Sequence, residues 1–259
     1  MKRFIPLILT FLLAGCATHR GQLAWRVKDV VLEKGPAVEL YKPDRQVALT
    51  IPIRTVQEMM LVHLRISRTA GVPSELYIVD GSEPNAFATV INNGQRMIGI
   101  NIGMVKLIGV NVNEYAALIG HEAAHWAKGH VDVGNTRTNT LNAIGTAVGV
   151  GLSAVGVPAA GLISGLGVGL VDASFDRDQE READAQSIEY MRANNYDPWA
   201  AISLHEKFIK VDGGLRLPFL SSHPSSEERI ENLKALIETK KPPSSLSPSV
   251  SPSIKNDDE

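Results

Sequence analysis

The sequence predicts an α+β fold, mainly α, and three observations carry that expectation. Aromatic residues make up only 5% of the 259 residues, a composition that leans away from β-rich folds. Long stretches repeat apolar residues three and four apart, the period of a buried helix face. Between residues 76 and 101 the pattern changes to short β-like runs separated by Asp80-Gly81 and Asn93-Gly94 turns, which predicts a small sheet. With 44% hydrophobic residues and a formal net charge of -2, the chain can bury one core and offers no basic surface for nucleic acid.

The elements follow in order. Residues 1–15 read as a secretory signal: Lys2 and Arg3 precede an apolar run from Phe4 to Leu13, and Leu13-Ala14-Gly15-Cys16 closes it. Cys16 is the sole cysteine. This stretch resembles a bacterial lipobox, which implies cleavage before Cys16, its lipidation and a membrane anchor; an ordinary signal cut elsewhere, or an uncleaved anchor, are the alternatives. Ala17, where an aspartate would act as a retention signal, resembles an outer-membrane address. Several acyl chains would hold the protein stably on a bilayer, facing the periplasm.

Residues 16–52 read as a tether leading into one or two weak strands, with the main domain spanning residues 53–240. Ile53 to Ala70 predicts a packing helix that buries Val56, Met59, Met60, Val62, Leu64 and Ile66 and ends at Gly71 and Pro73. Strands follow at Leu76 to Val79, Ala86 to Ile91 and Met97 to Asn101. A helix from Glu114 to about Lys128 is capped by Asn113. Leu141 to Val171 carries no charge and is rich in glycine, alanine and valine; a packed helical hairpin fits it better than a membrane-inserted one, since its glycines need close packing. Helices follow from about Ser174 to Ala193, from Pro198 to a stop before Gly213-Gly214, and after His223-Pro224 to about Thr239. The Pro- and Ser-rich tail, 241–259, cannot bury a core.

The chemistry concentrates in HEAAHWAKGH, His121 to His130. Residues four apart share a helix face, so His121 and His125 can reach one metal ion. Zinc suits two imidazoles and a carboxylate, leaving one position for water beside Glu122 as general base. A third ligand must come from another element. Within SFDRDQEREADAQSIEYM, Glu180 and Asp184 share a face, so Glu180 reads as the ligand and Asp184 as the acceptor that orients a ligating histidine. Glu182 reads as a solvated face.

HEAAHWAKGH followed by EREAD resembles metallopeptidase family 48, the zinc gluzincins of the HtpX and CAAX prenyl endopeptidase type, and especially periplasmic members of the BepA and LoiP type. EPNAFA at 83–88 and SHPSSEERI at 222–230 also match that family. The resemblance covers roughly Ile53 to Leu236 and implies a zincin-like domain with one zinc ion per chain. It implies that Glu180 is the third ligand. It also implies that Asn85, Ala86, Phe87 and Ala88 line the cleft as a substrate-binding strand, where main-chain pairing tolerates varied side chains. His223 would approach the metal, as an oxyanion stabiliser or as a plug in the open position, and Arg229 would be a positioning or oxyanion-side group. His130 would pack or hydrogen-bond near the helix end, while His63 and His205 read as structural.

The expected function is a lipid-anchored zinc endopeptidase degrading misfolded or unassembled cell-envelope proteins. Its rivals are a chaperone-like assembly factor with a self-inhibited zinc site, working with assembly-machinery partners, and a structural lipoprotein whose HExxH is coincidental.

Overall fold

The computed structural model describes residues 23–91, 94–131, 175–212, 217–223 and 227–239. The signal, Cys16, the uncharged stretch at 141–171 and the tail at 241–259 lie outside them. No helix among the described residues is long and apolar enough to cross a membrane.

The packed unit starts well ahead of Ile53, where the sequence reading began the domain. Strand β1 (Ala24–Arg26), the single turn α1 (Val27–Val30) and a hairpin of β2 (Ala37–Tyr41) and β3 (Val47–Pro52) occupy the segment expected to be a tether leading into one or two weak strands. Trp25, Val27, Val30, Val38, Leu40, Leu49 and Ile51 are buried in the main core. The reason is alternation: Val38 and Leu40 point inward between exposed Ala37 and Glu39, the signature of a half-buried strand.

Helix α2 (Ile53–Ala70) follows and ends at Gly71, whose φ of 66° places the left-handed cap that glycine adopts without strain. Its inner face carries Val56, Met59, Val62 and Ile66 as expected, but Leu64 is 52% exposed. Leu64 lies two residues past Val62, about 200° round the helix from it, and turns to solvent.

Strands β4 (Glu75–Val79), β5 (Ala86–Val90) and β6 (Arg96–Asn101) join β1 in a four-stranded sheet of order β1-β4-β6-β5. β4 and β6 run parallel, while β5 and β6 form the expected antiparallel hairpin. Opposite Phe87 stands Gly99; a Cβ at that position would lie 2.4 Å from the Phe87 ring. The glycine is there so that the aromatic can lie across it. β5 is therefore an edge strand, and it lies alongside the histidine-bearing helix.

An unexpected short helix, α3 (Ile102–Ile108), is nucleated by Asn101, whose side chain accepts from the Met104 N–H. Helix α4 (Val112–Ala127) is next and is buried along nearly its whole length. Its N-cap is Asn111 rather than Asn113: the Asn111 Oδ1 accepts from Asn113 and Glu114, and Asn113 instead accepts from the Asp197 N–H. The remaining helices are α5 (Arg177–Ala193), α6 (Trp199–Asp212), the short α7 (Pro218–Ser222) and α8 (Glu227–Thr239). α5 starts at a capping box, with Asp176 accepting from Gln179 and the Gln179 side chain accepting from the Asp176 N–H. α4 packs against α2, α5 and α6, so its motif is held from several sides.

Candidate metal centre

The site forms where α4 and α5 lie side by side. Gly120, just before the first motif histidine, faces Ser187 of α5, whose hydroxyl donates to the Ala117 carbonyl over 3.0 Å. This close approach brings Glu180 and Asp184 against the histidines of α4. Both acids are buried, as are His121, Glu122, His125, His223 and Arg229.

Four side chains, His121, His125, Glu180 and His223, place one donor atom each within 4.8 Å of one another. His121 Nε2 lies 3.0 Å from His125 Nε2 and 3.3 Å from His223 Nδ1. Glu180 Oε1 lies 3.4 Å from His125 Nε2 and 2.8 Å from His223 Nδ1. Ligands bonded to zinc in a tetrahedron stand about 3.3 Å apart. The four separations above, 2.8 to 3.4 Å, lie close to that spacing, and the nitrogen and carboxylate set suits that ion. The fourth vertex belongs to His223.

The ring nitrogens that His121 and His125 turn away from the cluster are also held, that of His125 by His130 Nδ1 at 3.0 Å. His121 Nδ1 sits 3.1 Å from Asp184 Oδ1. Arg229 then grips Asp184 through Nε at 2.8 Å and Nη2 at 2.6 Å, and reaches Glu180 Oε2 through Nη1 at 2.5 Å. So Asp184 stands where the sequence put it. Arg229 serves the two buried carboxylates as their counter-ion, its fork gripping Asp184 and reaching Glu180.

The electrostatics follow from packing these charges out of water. Burial opposes charge on His121, but Glu180 and Asp184 outweigh it and push its pKa up to about 10. Burial favours the neutral acid at Glu180, yet His121, His125 and His223 hold it far below the usual carboxylate range. At Asp184 the same contest is won by Arg229 and His121. His125, more affected by burial than by Glu180, is lowered to about 3.

Glu122 differs from these acids. It is fully buried, neither carboxylate oxygen has a hydrogen-bond partner among the described residues, and burial raises its pKa, with His223 and His121 opposing. A carboxylate orphaned in this way is costly unless a cation or a reacting proton completes it. Its Oε1 lies 3.6 Å from His223 Nε2. Ligand spacing and an unpartnered acid beside it both fit a metal ion, and its place is among His121, His125 and Glu180.

The cleft strand is only partly as expected. Asn85 spends its backbone internally: its N–H donates to Asn101 Oδ1 and its carbonyl accepts from the Asn101 N–H. The edge strand β5 begins at the next residue: Ala86 is buried, Phe87 covers Gly99 and Ala88 is half-buried.

Two aromatic residues at the site escaped the sequence reading. Phe175 stacks on His125 with centroids 3.7 Å apart and on His223 at 5.0 Å, while Phe219 stacks on the same histidine at 4.7 Å. His223 is thus sandwiched. For Phe175 a signal existed: an apolar residue immediately before a capping box, the place from which a side chain packs onto the start of a helix.

A helix pair that presents HExxH to a distant Glu180, with an orphaned acid between, defines a gluzincin-type metal centre. The comparisons agree. The model of Peptidase family M48 matches residues 53–237, and the chain belongs to that family. It is 30% identical to Metalloprotease LoiP of Escherichia coli over 63% of each chain. With Metalloprotease YcaL of the same organism it shares 25% identity over 63% of this chain and 62% of that one. With the mitochondrial metalloendopeptidase OMA1 of Schizosaccharomyces pombe it shares 30% over 81% of this chain and 63% of that one. The chain thus spans a little under two thirds of the length of these relatives.

Proposed function

We propose that this protein is a zinc endopeptidase, anchored by lipid on Cys16 to a bacterial envelope membrane, that degrades misfolded or unassembled envelope proteins.

 Its membrane is the outer one, its site faces the periplasm, and it recognises extended backbone rather than a particular sequence. The observation that carries the reading is the buried Glu122, unpartnered beside four converging ligand atoms. An edge strand alongside the same helix supports it, because a strand with a free edge can bind an unfolded chain through main-chain hydrogen bonds. The names of the relatives, metalloproteases and a metalloendopeptidase, support the peptidase class.

His121, His125 and Glu180 would hold the zinc ion. When bound, zinc supplies a Lewis acid that makes water acidic and polarises a carbonyl. Every other part belongs to the chain. Asp184, fixed by Arg229, holds His121 by Nδ1 so that Nε2 faces the ion. Glu122 takes the proton from the attacking water and passes it to the departing amide nitrogen, a role suited to an acid whose pKa is raised by burial. His223 stands at the fourth vertex and has to swing away before substrate enters.

That last feature favours a second reading, an assembly factor that binds unfolded envelope proteins while His223 keeps the site closed. One experiment separates the two: digestion of an unfolded model protein by the zinc-loaded chain lacking residues 1–16, beside Glu122→Gln, each also with His223→Ala. The expected result is cleavage that falls about 100-fold or more in Glu122→Gln, with zinc retained, and rises with His223→Ala. Zinc uptake without cleavage by either form that keeps Glu122 would move the binding reading ahead.

A further inference from the structure

We infer that His130 is a positioning residue for the metal centre, setting which nitrogen of His125 faces the ion. Nothing in the HExxH pattern requires it. The inference rests on the zinc reading above and names a part of the site outside its ligands and its base.

The backbone makes the contact possible. α4 ends in a turn where the Gly129 N–H donates to the Trp126 carbonyl at 3.1 Å and the His130 N–H to the His125 carbonyl at 2.9 Å. Gly129 has φ of 74°, the left-handed conformation this helix ending needs. The turn carries His130 back along the helix, and its Nδ1 arrives 3.0 Å from His125 Nδ1. On its other side, His130 Nε2 lies 3.2 Å from Glu182 Oε2, and Lys128 Nζ holds the second oxygen of that carboxylate at 3.1 Å.

Proton counting then fixes the row. For His125 to offer Nε2 as a lone pair toward His121 and Glu180, its ring proton must sit on Nδ1. That N–H needs an acceptor, and His130 Nδ1 is the atom in place. His130 in turn carries its proton on Nε2 and donates it to Glu182. Each step has one donor and one acceptor, so the row of hydrogen bonds is satisfied. The side chain of His130 is only 6% exposed, which shields the contact from competing water; that of Glu182 is 51% exposed and lends less.

His121 and His125 are therefore held differently. His121 leans on a buried carboxylate backed by arginine, while His125 leans on a second imidazole backed by a surface carboxylate. Glu182, read from sequence as a solvated acid, is half of that support.

The test is zinc affinity of the full-length chain in detergent, by competition with a chelator, for parent, His130→Ala and His130→Gln. Cobalt(II) absorption serves as a second readout of ligand geometry. A glutamine can accept from His125 with its carbonyl and donate to Glu182 with its amide, so it preserves the row. The expected result is a 10- to 100-fold loss of affinity in His130→Ala, roughly the cost of losing such a partner. A shifted cobalt spectrum, recovery of both in His130→Gln and an unchanged melting midpoint of the metal-free chain complete the expectation. Parent-like affinity in His130→Ala overturns the inference. So does a loss that the glutamine fails to recover and a lowered metal-free midpoint accompanies, since that marks a packing role. A parent chain that takes up no zinc would sink the metal reading itself, and this inference with it.

Discussion

Helices α2 and α4 pack against each other, and each buries a histidine: His63 is 3% exposed and His121 5%. Burial is equal, but the outcomes are opposite. Among the described residues His63 meets one hydroxyl, with Nε2 2.9 Å from Ser74 Oγ and Nδ1 without a partner, and burial lowers its pKa to about 4. His121 meets Glu180 and Asp184, and its pKa rises to about 10. A buried histidine by itself is packing. What makes a site is the set of buried acids that a second helix brings to it, and those acids are tolerable because Arg229 and the site histidines accompany them.

The sharpest way to break the contrast is to remove that arginine. Arg229→Met leaves Asp184 and Glu180 buried without their counter-ion, and breaking a buried pair on one side costs about 3–5 kcal/mol. Urea unfolding of the metal-free chain should show a loss of that size, with part of it returned by saturating zinc, which binds the folded state alone. A variant as stable as the parent but slow in catalysis would instead support the oxyanion-side role for Arg229.

His63 sharpens the other half. Its folded pKa of about 4 lies below the ordinary 6.5 of an unfolded chain, so the folded state takes up its proton later as pH falls. Stability is complete above pH 6.5 and drops by about 1.4 kcal/mol per pH unit down to pH 4, about 3 kcal/mol in all. His63→Gln removes the titration, and its stability curve should be flatter than the parent's between those limits. Parallel acid limbs for the two chains would show that His63 does not titrate as a buried neutral ring.

The contrast also shows which features were legible in sequence. His121, Glu122 and His125 were legible because a helix repeats its face every three to four residues, and Glu180 and Asp184 because the same rule puts them on one face of α5. The β5–β6 hairpin announced itself through Asn93-Gly94. The first fifty residues were harder: Trp25 and the β2–β3 hairpin are buried by partners far along the chain, which local alternation suggests but does not specify. Arg229 was placed by family resemblance, but its partners depend on how α8 packs against α5, a matter of tertiary structure. The same holds for Phe175 and Phe219, since stacking on His223 needs three distant segments to meet.

The smallest effect concerns the spacing of α4 and α5. A Cβ on Gly120 would sit 2.6 Å from Ser187 Oγ but 3.5 Å from its Cα and Cβ, so the clash is with the hydroxyl alone. In an open helix, alanine would be favoured over glycine by about 1 kcal/mol. Here overpacking of about 1–3 kcal/mol opposes that gain, and the helices must part by a few tenths of an ångström where Glu180 and Asp184 meet His121. Gly120→Ala should therefore weaken zinc binding and stability modestly. Ser187→Ala alone loses the hydrogen bond to the Ala117 carbonyl, yet in the Gly120→Ala background it removes the clashing atom. The double variant should be better than the sum of the two singles, in zinc affinity and in unfolding free energy alike. Simple additivity would mean that the two residues do not set the distance between the helices, and that the difference between His63 and His121 owes nothing to this contact.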